Sequence, residues 1–296
     1  MNRRSGYKIM SKLITLIKPL IHYIIFAVVM GVLGFLCAIF IPVFGVIGIL
    51  TVLGINFTFS IKTIFTVLIL LAVFRGILRY GEQACNHYIA FRILAVIRDT
   101  VLRKLCPAKL EGEDKGNLIS LITSDVELLE VFYAHTISPI LIALTVSIIM
   151  VLFIGSFSPI LGIISILAYF FVGVIIPVVN SKKIKNSGLA YRNKAGELNS
   201  LFLDSLRGLQ ELLQFSFTEE RKSEISKKTS ESKALHKKLK AGEISSRNFT
   251  EGTVFVFNII MIITASILYF NNKIDFSEMV ISITALVSSY GPVIAL

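Results

Sequence analysis

The stretch FTVLILLAVFRGILRYGEQACNHYIAFR, residues 65–92, passes from apolar into polar sequence with no proline or loop residue between the two parts. From Lys62 to Cys106 there is no proline, and the two glycines are Gly76 and Gly81. An unbroken helix of that length is roughly 65 Å long, whereas the hydrocarbon core of a bilayer is about 30 Å thick. We therefore predict a helix that crosses a membrane and continues beyond it as a rod.

The whole chain has the composition of a membrane protein. Of its 296 residues, 54% are hydrophobic, and the mean hydropathy is +0.77. A membrane-spanning helix needs about 20 apolar residues. Six runs meet this length: residues 19–50, 61–84, 131–156, 159–179, 252–270 and 276–296. This pattern predicts an all-α membrane protein with one six-span domain over residues 1–296, and it excludes a soluble enzyme.

The formal net charge of +11 is distributed unevenly along the chain. Residues 181–250 hold 15 of the 30 lysines and arginines, whereas the connections 51–60, 155–159 and 271–275 hold Lys273 as their one basic residue. By the positive-inside rule, both termini and the long loops 85–130 and 180–250 are cytoplasmic. The basic excess is then a matter of topology, and we expect no nucleic-acid partner.

The two long loops have helical character with one short interruption each. Apolar residues continue at helical spacing below the fourth span, and residues 218–249 are charged and favour helix, although a disordered charged loop is the alternative. The interruptions are CPAKLEGEDKG, residues 106–116, and SLRGLQELLQFSF, residues 205–217, where Gly208 is the expected bend. Two long helical pairs that each end in a short cross-piece predict a surface for a cytoplasmic partner.

Four polar residues of the second span lie on one helical stripe. Arg75, Arg79, Glu82 and Asn86 are spaced i, i+4, i+7 and i+11. Ionisable groups at membrane depth are costly and face a cavity or a partner. The stripe is either a substrate path for an anionic or zwitterionic solute, with arginine binding carboxylate, or an Arg–Glu cluster that holds helices together. No catalytic motif and no metal-ligand spacing accompanies it.

Several segments resemble a known family. GNLISLITSDVELLE (116–130) and DSLRGLQELLQF (204–215) are similar to signatures of the first and second intracellular loops of ABC exporter membrane domains. Leu121 stands where arginine is usual, and Asp204 stands where glutamate is usual. A closer resemblance, to CydC-type subunits of the exporter that supports cytochrome bd assembly, comes from four further segments. These are RYGEQACNHYIAFR (79–92), LCPAKLEG (105–112), FYAHTISPI (132–140) and SSYGPVIAL (288–296).

The resemblance implies a six-span permease of the bacterial cytoplasmic membrane, in which short coupling helices contact nucleotide-binding domains. Carried onto this chain, the coupling residues are Ala108, Lys109, Leu110, Glu111, Gly112, Ser205, Leu206, Arg207, Gly208 and Leu209. The chain has no G-x-x-x-x-G-K-[ST] phosphate loop. We therefore expect no ATP hydrolysis by it alone, with ATP and Mg bound in an attached or separate nucleotide-binding domain. A second membrane subunit, CydD-like or identical, is the other implied partner.

The resemblance also implies a cargo, either a thiol such as cysteine or glutathione, or haem. In its R-Y-x-E-x-x-x-x-H context His87 is similar to a haem ligand, and a neutral imidazole suits that role; an interfacial histidine with an ordinary hydrogen bond is the alternative. His135 is a weaker candidate of the same kind. A lipid or drug exporter permease, or a membrane scaffold without an ATPase domain, remains an alternative function.

Overall fold

The computed structural model describes residues 20–55, 59–105 and 137–295, and this part of the chain is helical throughout apart from short turns. The helices are α1 (Ile21–Val52), α2 (Ile61–Leu105), α3 (Ser138–Phe157), α4 (Pro159–Phe170), α5 (Ile176–Arg207), α6 (Leu209–Gln214), α7 (Thr218–Phe270), α8 (Phe276–Ser289) and α9 (Gly291–Ile294). A π-helical segment, Phe171–Ile175, joins α4 to α5. The predicted all-α class is confirmed.

Within the described residues, six helical stretches are long and apolar enough to cross a membrane, as predicted. They are Ile21–Val52, Ile61–Arg103, Ser138–Phe157, Pro159–Asn180, Thr218–Phe270 and Phe276–Ile294. The third helix begins at Ser138, and residues 131–136 of the predicted third span lie outside the described residues. The sixth stretch is divided between α8 and α9 next to Pro292, whose nitrogen has no hydrogen to donate to the helix.

The second helix is the rod that the sequence predicts. Helix α2 is continuous over 45 residues, and Gly76 and Gly81 lie within it without ending it. At 1.5 Å per residue this is about 68 Å, more than twice the thickness of the hydrocarbon core. A single rigid element therefore carries both membrane-embedded and water-exposed residues.

The described residues divide into two compact units. The first comprises residues up to 169 together with those from 258 onward. In it α1 packs against α2, α3 and α8, and both α8 and α9 pack against α3. Its core is formed by aliphatic side chains that are at most 1% exposed. Among them are Ile39, Val43, Ile142, Val146, Met150, Ile154 and Leu286.

The second unit, Phe170–Phe257, contains α5, α6 and the first part of α7. Three contacts show that α5 and α7 run antiparallel beside each other. Asn180 donates a hydrogen bond to Ser246, the rings of Tyr191 and His236 lie 5.1 Å apart, and Lys194 Nζ lies 3.4 Å from Glu231 Oε2. The charged run from residue 218 is thus helical and paired, so the disordered-loop alternative is wrong.

The π-helical segment precedes Pro177. The N–H of Ile176 donates to the carbonyl of Phe171, five residues earlier, and Pro177 follows in the first turn of α5. A proline ring clashes with the carbonyl four residues before it in an ordinary α-helix, here that of Gly173. The wider π turn accommodates the ring without breaking the helix.

Candidate functional site

The structure splits the predicted stripe on α2 into an exposed and a buried part. Arg75 is exposed and makes no ion pair within the described residues. Glu82 and Asn86 are 3% and 4% exposed, which places them among the few buried polar residues of the first unit. Arg79 lies between the two parts, with a side chain that is 52% exposed. The site is therefore built from Arg79, Glu82 and Asn86, and Arg75 is not part of it.

Arg79 and Glu82 form a close ion pair. Arg79 Nη1 donates to Glu82 Oε2 at 2.6 Å, and the guanidinium carbon lies 5.6 Å from the ring centroid of Phe35 on α1. A buried carboxylate is tolerable when a cation and hydrogen bonds compensate for the lost water. Within the described residues this is the one hydrogen bond of the Arg79 side chain. Since guanidinium has five N–H donors, the cation keeps donors for a ligand.

A cavity of about 140 Å³ lies beside this ion pair. Helices α1, α2, α3 and α9 all contribute to its wall. Its lining residues are Phe35, Arg79, Glu82, Gln83, Asn86, Pro139, Ile142, Pro292 and Ala295. Within the described residues, Oδ1 of Asn86 is buried and has no hydrogen-bond partner. An unpaired buried acceptor is uncommon, and here it belongs to a residue that lines a cavity.

Gly31 on α1 allows the close approach that buries Glu82. A Cβ at this position would lie 2.3 Å from Ile142 Cδ1 and 3.2 Å from Glu82 Cδ. Small residues at helix interfaces let helices approach closely in membranes. Sequence reasoning missed Gly31, Phe35 and Pro292, because their role depends on contacts between distant segments. A glycine within a long apolar run was the one available signal.

The arrangement can bind a solute but holds no reacting groups. The guanidinium donors of Arg79 suit a carboxylate, and Asn86 Oδ1 can accept from an ammonium, amide or hydroxyl group. The described residues contain no group of three metal-ligating side chains. Among its described lining residues no nucleophile is held by a general base, and the groups present recognise a solute by charge and hydrogen bonds.

His87 lies on a different face of α2 from the cavity. Its side chain is exposed, and its ring is stacked near that of Phe91 with centroids 6.1 Å apart. His87 also takes part in a second non-covalent interaction, so it is not without a partner. His87 is not among the cavity-lining residues, and His135 lies outside the described residues. Haem ligation by either histidine stays a prediction.

The second predicted cross-piece is a short helix between two long ones. Helix α5 ends at Arg207, the N–H of Gly208 donates to the carbonyl of Asp204 at 2.9 Å, and α6 follows. The bend at Gly208 is therefore where the sequence predicts it. Large apolar side chains around it are exposed: Leu206, Leu209, Leu213, Phe215 and Phe217. Exposed apolar side chains that form a contiguous patch are typical of interaction sites. Residues 108–112 of the first predicted cross-piece lie outside the described residues.

Comparison with known proteins agrees with this architecture. The family profile described as the ABC transporter transmembrane region matches residues 20–293. A probable ABC transporter ATP-binding/permease protein of Haemophilus influenzae is 45% identical over 297 residues, which cover 99% of this chain and 54% of that protein. The glutathione/L-cysteine transport system ATP-binding/permease protein CydC of the same organism is 27% identical over 158 residues. These cover 52% of this chain and 27% of CydC. The chain thus spans about half or less of the curated relatives it matches.

Proposed function

Because this chain belongs to the family of ABC transporter transmembrane regions, we propose that it is the permease part of an ATP-driven exporter for a small zwitterionic thiol such as cysteine. The observation that carries the proposal is the cavity between α1, α2, α3 and α9. There Arg79, held by buried Glu82, lines one space together with Asn86, whose buried Oδ1 has no partner within the described residues. In this proposal the carboxylate of an amino acid pairs with Arg79, and its ammonium group donates a hydrogen bond to Asn86.

The volume of the Arg79 cavity favours a small cargo over a large one. Sites for drug-sized ligands occupy about 300–1,000 Å³, whereas this cavity measures about 140 Å³. That volume favours a single amino acid over glutathione, a drug, a lipid or haem. The relative whose name includes glutathione/L-cysteine transport supports a thiol cargo by its similarity over about half of this chain.

The proposed partners follow from the exposed surface around α6. We propose that this surface docks on a nucleotide-binding domain, attached or separate, that binds ATP and Mg. Exposed Leu209, Leu213 and Phe217 are suited to such a contact. A second membrane subunit, CydD-like or identical, completes the transporter. The basic residues concentrated at 181–250 support cytoplasmic termini and loops in a bacterial cytoplasmic membrane.

Haem remains a second proposed ligand, through His87. The exposed imidazole of His87 suits axial ligation of iron, and a porphyrin is too large for the cavity of about 140 Å³. Haem would therefore lie against the outer face of α2. Haem titration of the purified protein tests this: we expect a saturable Soret band that His87→Ala removes, and a band indifferent to that change overturns haem ligation by His87.

The transport proposal is tested in inside-out proteoliposomes that contain the protein with its nucleotide-binding domain. We expect ATP-dependent uptake of radiolabelled cysteine that exceeds uptake of glutathione. Arg79→Gln should reduce cysteine uptake by about tenfold or more, the loss expected for a charged hydrogen bond. Arg103→Gln is the matched control, because Arg103 lies on the same helix with its side chain 80% exposed and paired to Asp99. Equal uptake by wild type and Arg79→Gln would overturn the assignment of this cavity.

A further inference from the structure

A second and larger cavity lies where the first turn of α1 meets α2. It measures about 370 Å³ and is separate from the Arg79 cavity, with which it shares no lining residue. Its lining residues are Leu20, His22, Tyr23, Tyr88, Arg92, Ile93 and Val96. One part of this lining carries hydroxyl, imidazole and guanidinium groups, and the other is aliphatic.

The wall of this cavity is well packed. Leu20, Ile24, Ile89 and Ile93 form a buried apolar cluster between α1 and α2, against which Tyr23 packs. The rings of Tyr23 and Tyr88 lie 4.9 Å apart, and those of His22 and Tyr23 lie 4.2 Å apart. The aromatic lining residues are therefore packed against a buried apolar cluster.

Arg92 is the cation of this cavity and has no acidic partner in it. No aspartate or glutamate is among the lining residues that the structure describes. The residues three and four positions away on α2 are Tyr88, Ile89, Ala95 and Val96, none of which is charged. Arg92 is exposed and makes no ion pair within the described ranges 20–55, 59–105 and 137–295. Within the described residues its charge is therefore not compensated by an acid.

We propose that this cavity binds the headgroup phosphate of an anionic phospholipid. Arg92 and the tyrosine hydroxyls hydrogen-bond the phosphate, and the acyl chains extend from it toward the middle of the membrane. With the orientation proposed above, the start of α1 lies at the cytoplasmic boundary of the membrane, where anionic lipids create a negative surface and basic pockets between helices bind their headgroups. This position at the membrane boundary favours a lipid over a free phosphate ion as the source of the phosphate.

The first test counts phosphatidylglycerol retained by the detergent-purified full-length protein, using native mass spectrometry. We expect one molecule retained per chain in preference to phosphatidylcholine, and about tenfold weaker retention by Arg92→Gln, since a charge-assisted hydrogen bond is lost. Arg75→Gln is the matched control. Arg75 is also an exposed arginine of α2 without an ion pair in the described residues, but it lines neither described cavity. Equal losses in both variants would overturn the site.

Two further measurements distinguish a lipid phosphate from a free phosphate ion. Both use wild-type protein, so neither depends on whether Arg92→Gln folds. Inorganic phosphate at millimolar concentration should not displace the lipid from wild type; displacement would mean a site for a soluble anion and overturn the lipid proposal. Photoactivatable phosphatidylglycerol should label wild-type peptides containing residues 20–23 and 88–96, and labelling confined to other peptides would overturn it. Cysteine transport plays no part in these measurements, so the transport proposal stands or falls separately.

Discussion

Arg79 and Arg92 lie on the same helix and have opposite surroundings. Arg79 has an acid three residues later, and its ion pair with Glu82 lies beside a cavity of about 140 Å³ lined by residues of four helices. Arg92 has no acid within one helical turn, and it lies in a cavity of about 370 Å³ between two helices. Their 13-residue separation is roughly 20 Å along the axis. Within the described residues, Arg79 has an acidic partner on its own helix and Arg92 has none.

This difference shows that charge placement and charge compensation are separate features of a membrane-crossing helix. The i, i+3 spacing places Glu82 within reach of Arg79, but the packing of Gly31 and Ile142 is what buries the carboxylate. The residues three and four positions from Arg92 on α2 are tyrosine and aliphatic residues. Arg92 therefore has neither an acid at helical spacing nor a buried carboxylate beside it. The effects of substitution should therefore differ between the two positions.

The largest effect is expected when Arg79 is removed and Glu82 is left buried. Arg79→Leu should lower the free energy of unfolding by about 3 kcal/mol, because breaking a buried pair leaves an uncompensated charge. Glu82→Leu should cost less, since the remaining arginine is half exposed and can reorient. The double variant should recover most of the loss. Thermal unfolding in detergent measures all three, and Arg92→Leu, expected within about 0.5 kcal/mol of wild type, is the control. A cost for Arg92→Leu equal to that for Arg79→Leu would contradict the comparison.

The second-largest effect is expected at Gly31, where α1 contacts α2 and α3 beside the Arg79–Glu82 ion pair. Gly31→Ala should destabilise the protein by about 2 kcal/mol, the usual range for an overpacked core, because the added carbon meets Ile142 and the Glu82 carboxylate. Gly45→Ala on the same helix is the matched control, since a Cβ there meets nothing within 4 Å. The two variants are compared by the temperature at which monodisperse protein is lost. If both variants lose monodisperse protein at the same temperature, the packing at Gly31 does not support the site.

A smaller and opposite effect is expected at Asn86. Asn86→Leu should raise the free energy of unfolding by about 1 kcal/mol, because it removes a buried acceptor that has no partner in the described residues. The same change should abolish the thermal shift that cysteine produces in wild type. Stabilisation together with loss of the ligand response separates a binding role from a structural one. A destabilised variant that still responds to cysteine would exclude Asn86 from the site.

The smallest effect is expected for the exposed pair near the end of α2. Arg103 Nε lies 2.9 Å from Asp99 Oδ2, with side chains 80% and 61% exposed. Such pairs contribute about 0.5 kcal/mol or less. Asp99→Asn should therefore leave the unfolding temperature almost unchanged at physiological salt. A large shift would show that exposure alone does not distinguish this pair from that of Arg79 and Glu82.

Much of the architecture follows from local sequence. The absence of proline between Lys62 and Cys106 predicts a continuous α2, and Gly208 predicts the break before α6; both are present. Two local features were overlooked although the sequence carries their signals. Asp275 and Glu278 form a capping box at the start of α8, with the spacing typical of that motif. The π turn before Pro177 is the other.

The candidate site was predicted in part. Helical spacing placed Arg79, Glu82 and Asn86 on one stripe with Arg75, but it cannot tell which of them faces another helix. The partners that enclose them, Phe35, Pro139 and Pro292, come from three other helices. Tyr23 and Tyr88 of the second cavity are likewise 65 positions apart in the chain.

The sequence by itself determined the class of protein, the six apolar helices, the continuous α2 and the positions of its charges. These depend on hydropathy and on backbone breakers, which act over a few neighbouring residues. Tertiary structure alone decided that Glu82 is buried while Arg75 is exposed, that Asn86 lines a cavity, and that Arg92 faces another one. Those outcomes depend on which helices come into contact, and helix contacts are set by shape and close packing between segments far apart in the chain.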